Sequence, residues 1–567
     1  MSIWLGTIDN DWNKVGNWGP GGTGAGIPNA GVDAIFDGTA LRECVLGANR
    51  TCRQLTFTGF AFTVDFATFT LSASGNITFQ SNQSSRVLGT TGRLISVTSH
   101  TITSNTGIWP LDYQIQNLGL TITIAGDMRI AGSWVSSGGG TQTLLGAFNI
   151  YVGTNVTMVG TLTSVATNLI MNGSGTYSGN GTTNLEINTT GTIVVTGSVT
   201  FSRRFVVATT GTVTMTAANV SIFNATTIDV NGKTVGNLSH GFSAGGSIVY
   251  LSDIYCSNFT IGNGTNVYNG PGRIYASGNY VLNGSSSGTL AVELTGTGTI
   301  STGTLGLVCF IAATGNYTLG ATLTIGNTFT SVAGAILNTG SSTVTIQSSI
   351  TISTLGVNWN NIIIVATVTL TINQPLLVTN SLTLNGTATF LGAYGFTCGN
   401  LTCTLAASII TLQNIVASPS AEYIVNGVLN LTGTLANRIR LEAVGRANFV
   451  GSIGTAVNPA LSLITVTSVT SGTIATGMTV SQASGQIPTG LSPFINDRPI
   501  IDSPSGPNWF INKSLGTRVP PVSGVINIAA GFKAKFTLAN NPTSSQTVIY
   551  VQTQDIDSSY GKTIQVT

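Results

Sequence analysis

The sequence predicts an all-β chain wound into an elongated parallel β-helix, and three observations carry that expectation. Charge is scarce: only 7% of the 567 residues are Asp, Glu, Lys or Arg, against about 25% in ordinary soluble domains. Apolar residues alternate with Thr, Ser and Asn, as in Ala321-Thr-Leu-Thr-Ile325 and Thr367-Val-Thr-Leu-Thr-Ile372. Period-two alternation places one face of a strand in a core and the other in water. Similar short strands also recur about twenty residues apart. Thr189-Thr-Gly-Thr-Ile-Val-Val195 returns as Thr209-Thr-Gly-Thr-Val-Thr-Met215, and Leu323-Thr-Ile325 returns as Val344-Thr-Ile346, with Leu370-Thr-Ile372 next in the series. A period in the twenties marks a solenoid, whose turns bury their apolar faces only by stacking. A string of small antiparallel β-sandwiches is the alternative, since it shares the short strands and frequent turns.

Composition divides the chain into three parts. Residues 1–44 hold three of the seven tryptophans, Trp4, Trp12 and Trp18, which suit a cap over the first rung. Residues 45–455 form the neutral Gly/Thr-rich rod. At roughly 22 residues per rung they give about 18 rungs. Residues 456–567 regain Pro, Lys and Asp, lose the rhythm, and read as a separate β-rich attachment or binding domain. Within the rod, residues 294–421 contain no Asp, Glu, Lys, Arg or His. Their polar alternation excludes a membrane helix, which needs about 20 mostly apolar residues in a row.

The charge balance narrows the function classes. With 20 basic and 18 acidic residues and no Lys or Arg between 274 and 437, no electrostatic footprint for nucleic acid is present. Arg203-Arg204, the one adjacent basic pair, reads as a solvated turn. The six cysteines, Cys44, Cys52, Cys256, Cys309, Cys398 and Cys403, form no CxxC pair, so a zinc site is not expected. Cys398 and Cys403 would pair if neighbouring strands met there, but free buried thiols are the favoured reading. The first ten residues lack a basic segment and an apolar stretch, so no secretory signal is expected. The sequons at Asn172, Asn180 and Asn224 carry little weight in so Asn- and Thr-rich a chain.

Chemistry-bearing residues are few. Asp9, Asp11, Asp33 and Asp37 offer oxygen ligands for calcium, but their spacing fits no EF-hand loop and suits turn-capping aspartates. Glycoside hydrolysis needs two carboxyl groups about 5–9.5 Å apart. Asp229 and Asp253, twenty-four residues apart, are the pair that adjacent rungs would bring together, with Glu293 a further carboxylate. No serine-hydrolase elbow or phosphate-binding loop stands out, so no enzyme and no cofactor are expected. Trp509, Phe510, Tyr550 and Tyr560 make the C-terminal region the place for specific contacts.

Two stretches resemble known proteins. Trp4-Leu-Gly6, Asp11-Trp12, Gly16-Asn17-Trp18, Ile27-Pro28 and Asp33-Ala-Ile-Phe36 resemble a module at the start of β-helical regions in bacterial surface adhesins and some phage proteins. It covers under a tenth of the chain, and adhesins carry an export signal. Ser471-Gly-Thr-Ile-Ala-Thr-Gly477-Met478-Thr-Val480, followed by Gln486-Ile487-Pro488, is similar to a small β-rich module of phage tail and fibre proteins. These resemblances imply a non-enzymatic virion structural protein, a fibre, spike or particle-surface protein of a tailed phage or similar virus. It would be made in the host cytoplasm and released inside particles, with no membrane insertion. They also imply a homotrimer contacting other virion proteins and a host surface glycan. A bacterial adhesin or filament subunit, and a polysaccharide-cleaving tailspike, are the alternatives.

Overall fold

The chain is an all-β parallel β-solenoid of about 18 turns. The computed structural model describes residues 1–414 apart from 21–25, 81–85, 90, 105–106, 202, 209, 223–225, 242–245, 366 and 406. Beyond 414 it describes 421–426, 429–431, 439–444, 447–451, 467–468, 478–482, 500–501, 525–527 and 563–565. The chain divides into two compact units, Met1–Gly278 with Asn283–Leu290, and Asn279–Leu282 with Ala291–Thr567.

In the first unit each coil lays its strands beside those of the coil before. Along one face Leu71, Leu94, Tyr113, Trp134, Val156 and Tyr177 stand opposite one another in turn. All six are buried. Along another, Ala34 faces Leu55, Leu55 faces Ile77, and Ile102 lies between Ile77 and Ile124. The repeat at 189 and 209 is one of these steps, with Thr192 opposite Thr212 and Ile193 opposite Val213. Alternation places every second side chain inside, so a regular column of apolar groups follows from the strand period alone.

The second unit is built the same way. Leu323, Val344, Ile362, Leu382 and Leu401 form one inward column. Thr322, Thr343, Asn361, Ser381 and Asn400 form an outward one in the same registers. The strand after Thr343–Ile346 in this face is Asn358–Val365, with Val344 opposite Ile362. The expected successor, Leu370-Thr-Ile372, belongs to a different face and pairs with Ile350–Thr354. The apparent irregularity of the period therefore came from stepping between faces.

Parallel pairing between residues about a turn apart rules out tandem sandwiches. An antiparallel pair does occur at the N-terminus, where Ser2–Trp4 lies between Ala34–Asp37 and Trp18–Pro20. Residues 1–44 are thus hydrogen-bonded into the stack they cover. Trp18 meets Trp4, Trp12 and Phe36 edge to face, Trp4 and Trp12 lie tilted over Phe36, and the Trp12 and Trp18 centroids are 4.6 Å apart. From there Phe36, Phe57 and Phe79 stack at 4.9 Å per step, continuing the aromatic column into the next coils. The Trp18 indole donates to the Trp12 carbonyl at 2.8 Å, and Trp4 to that of Arg42 at 3.0 Å, so these two buried N–H groups are satisfied. At the other end, Met478–Gln482 still pairs in parallel with Ile439–Val444.

Corners are where a coil leaves backbone amides without ladder partners. Side chains one coil earlier take them up. Asn49 accepts from the Thr70 amide, Asp112 from Ser133, Asp127 from Asn149, and Asn155 from Thr176, at 2.7–3.0 Å. Asn279 and Ser349 do the same for Thr299 and Thr369 in the second unit. These bonds span 20 to 22 residues, one turn of the coil. Tight corners at Gly270 and Gly288 require positive φ, +116° and +122°. A Cβ there would come within 2.0 Å of the Tyr250 carbonyl oxygen and 1.9 Å of that of Tyr268. Asn155→Ala is expected to cost about 1 kcal/mol in urea unfolding by orphaning the Thr176 amide. Asn155→Asp keeps the acceptor and is expected to cost less.

Candidate functional site

Chemistry-bearing side chains gather on the coils between Thr226 and Ala276 in the first unit, both inside and outside the stack. Inside, His240 ends the strand Thr234–His240 and is fully buried. Its Nε2 shares a hydrogen bond with the Tyr250 hydroxyl. Its ring stacks on Tyr268 at 4.8 Å and meets Phe259 edge to face at 4.9 Å. Its Nδ1 has no hydrogen-bond partner among the described residues. Burial without a counter-charge pushes the imidazole down to about 3. The same burial raises the Tyr250 phenol well above its ordinary value. Buried and neutral at physiological pH, this knot is part of the core.

Outside, the strands Ile254–Ile261 and Arg273–Ala276 place Tyr255 opposite Tyr275. Their rings stack at 4.6 Å with planes 13° apart. The Arg273 guanidinium lies 5.9 Å from the Tyr275 ring centroid. Asp253 accepts the Arg273 amide at 2.9 Å, another corner bond. Beside them Asn258 donates to Asn237 at 2.7 Å, and Asn237 to Asn219 at 2.6 Å.

The carboxylates selected from the sequence fall as follows. Asp229 and Asp253 lie on adjacent coils, as their spacing implied. Ile228 faces Tyr250, so Asp229 falls level with Leu251, two residues before Asp253. Glu293 sits on the strand Ala291–Leu294 of the second unit. Each of the four N-terminal aspartates holds structural partners of its own. Asp9 accepts from the Asp11 amide and from Asn17, which hold its carboxyl below the usual range. Asp11 accepts the Asn13 amide. Asp33 forms a two-pronged ion pair with Arg53 at 2.7 and 2.8 Å, which likewise lowers its carboxyl. Asp37 accepts from the Thr39 amide and hydroxyl. Among the described residues no group of three or more His, Cys, Asp or Glu is arranged to hold a metal ion.

Arg203 is exposed, whereas Arg204 opens the strand Arg204–Val207 and pairs with Glu186 one coil away at 3.0 Å. The reading of the pair as a solvated turn fits the exposed bend at Arg203 but not Arg204, which lies in a strand and forms an ion pair. All six cysteines are free and buried, and Cys398 and Cys403 lie on one strand, Phe396–Cys403. Burial raises every one of these thiols, Cys52 and Cys256 to about 12. They act as small apolar groups rather than nucleophiles. Trp509, Phe510, Tyr550 and Tyr560 lie outside the described residues.

Sequence reasoning missed both the His240 knot and the tyrosine stack. The stack did leave a signal: Asp253-Ile-Tyr255 recurs as Arg273-Ile-Tyr275 after one twenty-residue turn. The knot left none, because His240, Tyr250 and Tyr268 meet only once three coils are closed.

No protein-family model, curated protein or solved structure matches the chain. The architectural class is a parallel β-solenoid whose described residues form no α-helix and include only a short 3-10 turn at Val15–Asn17.

The buried imidazole gives a pH test. Unfolded His titrates near 6.5, whereas folded His240 stays neutral down to about 3. Between those values the unfolded chain binds the extra proton, so stability falls as pH falls, by up to about 1.4 kcal/mol per pH unit. His240→Phe keeps the stacking ring and removes the titration. Urea midpoints at pH 7.5 and 5 are expected to lie closer together in the variant than in the parent. An unchanged gap would exclude His240 as the source.

Proposed function

We propose that the chain is a non-enzymatic structural protein of a virus particle, a fibre, spike or surface protein of a tailed phage or similar virus. The observation that carries this reading is the way successive coils hold one another. Core columns, outer Thr/Ser/Asn rows and corner bonds all join a residue to its equivalent one turn away. Such a stack resists deformation without relying on charge, which suits a part that must project or support a binding end. The two short resemblances, to the start of β-helical adhesin regions and to phage tail and fibre modules, point the same way. On this reading its partners are further copies of itself, with a trimer expected, other virion proteins and a host surface glycan.

A surface adhesin or filament subunit is the second reading, favoured by the Trp-rich N-terminal module. Growth of a filament through the N-terminal end is opposed by the strand Trp18–Pro20, which occupies the edge of Ser2–Trp4. The tailspike reading rests on Asp229 and Asp253. Against it, the Asp253 carboxylate already serves a corner amide.

Mass spectrometry of density-banded particles from a producing culture is expected to find the chain in a fixed ratio to the capsid protein, in multiples of three copies. Recovery only with the cell envelope would replace the virion reading with the adhesin one. Incubation of the purified protein with capsular polysaccharide is expected to leave its viscosity unchanged. A fall in viscosity that is lost in Asp229→Asn or Asp253→Asn would establish the tailspike instead.

A further inference from the structure

We propose that the outward Tyr255 ring, with Thr234 beneath it, forms a subsite for one pyranose unit of a polysaccharide. The face-to-face pairs Phe36–Phe57, Phe57–Phe79, Phe201–Phe205 and His240–Tyr268 are buried in the core. Tyr255 is 40% exposed. Stacking against Tyr275 covers one of its two faces. The registers Thr234–Tyr255–Tyr275 run along the coil axis, so the second face is turned towards Thr234. Thr234 is itself exposed, and its side chain is far shorter than a phenol ring. The outer part of the Tyr255 face therefore overhangs a step in the surface, one coil deep.

The chemistry around that step selects the ligand. A pyranose presents a face of C–H groups whose positive ends suit the negative face of an aromatic ring. Its equatorial hydroxyls need planar polar partners at the rim. Asp253, two residues before Tyr255 on the same coil, offers the carboxylate oxygen that does not hold the Arg273 amide, and the exposed Thr234 hydroxyl donates or accepts one coil back. Nucleic acid fits poorly, because Lys233 and Arg273 are balanced by Asp229 and Asp253 and phosphate binding needs an excess of basic groups. A peptide added as a strand needs an unpaired edge, and Ile254–Ile261 has a parallel partner on both sides.

This inference rests on the surface-glycan partner of the proposed function and gives it a place on the fold; its readout is separate, since particle association does not report on sugar binding. The test is saturation-transfer NMR on the full chain with methyl β-galactopyranoside, methyl β-glucopyranoside and methyl α-mannopyranoside. At least one glycoside is expected to receive saturation concentrated on the protons of one sugar face. Tyr255→Ala is expected to reduce it at least fivefold. Thr234→Tyr keeps Tyr255 and adds a third ring to the stack, covering the open face, and is expected to reduce it equally. That variant changes one outward side chain, and an unaltered far-ultraviolet circular dichroism spectrum establishes that it folds. No transfer to any of the three glycosides, or transfer that survives in the folded Thr234→Tyr variant, would overturn the subsite.

Discussion

Parallel in-register stacking constrains everything else in this protein. Neighbouring strands lie about 4.8 Å apart, so each side chain has its equivalents on the coils before and after as nearest neighbours. Inside, that rule turns single apolar residues into continuous columns, such as Leu71 through Tyr177. Outside, it penalises charge. Two like charges at that spacing repel by about 1 kcal/mol even in water, and a repeated charge would meet that cost on both sides. Thr, Ser and Asn carry no such penalty and can hydrogen-bond along the column, as Asn219, Asn237 and Asn258 do.

Three ion pairs obey the same rule. Asp33 with Arg53, Arg93 with Asp112, and Glu186 with Arg204 are each separated by 18 to 20 residues, so opposite charges sit one coil apart. Surface pairs of this kind contribute little to stability. Their spacing matters more for register, since sliding a strand by one residue would move the partner to the wrong place and turn the core column outward. Asp112 shows how tightly these jobs are shared, pairing with Arg93 on the preceding coil and accepting the Ser133 amide on the following one.

Much of this was legible in the sequence because coil and strand periods are both printed there. Alternation gave the inward and outward faces, and the twenty-residue return of Thr-Gly-Thr gave a true neighbouring pair. Leu370-Thr-Ile372 misled because strands on different faces share the same alternating pattern, so similarity alone does not distinguish a step along the axis from a step around it. The corner roles of Asp112, Asp127 and Asn155 were hidden for a related reason, since each serves an amide about a turn away in variable turns. Asp229 and Asp253 were correctly placed on adjacent coils, but the function of Asp253 in a corner could be read only from its hydrogen bond. The His240 knot depends on three coils at once and lies beyond any pairwise pattern.

The tryptophan-covered first coil also bears on how such a chain is made. Its parts, from Ser2 to Phe36, leave the ribosome before the coils that stack on them. Each later coil needs a template only about twenty residues older than itself. At about 5–20 residues per second, a new coil emerges every few seconds, far slower than strand pairing, which takes microseconds. Synthesis therefore supplies the coils in the order in which they can dock. On the growing side the exposed edge is that of the newest coil, a single layer of unpaired strand at a time.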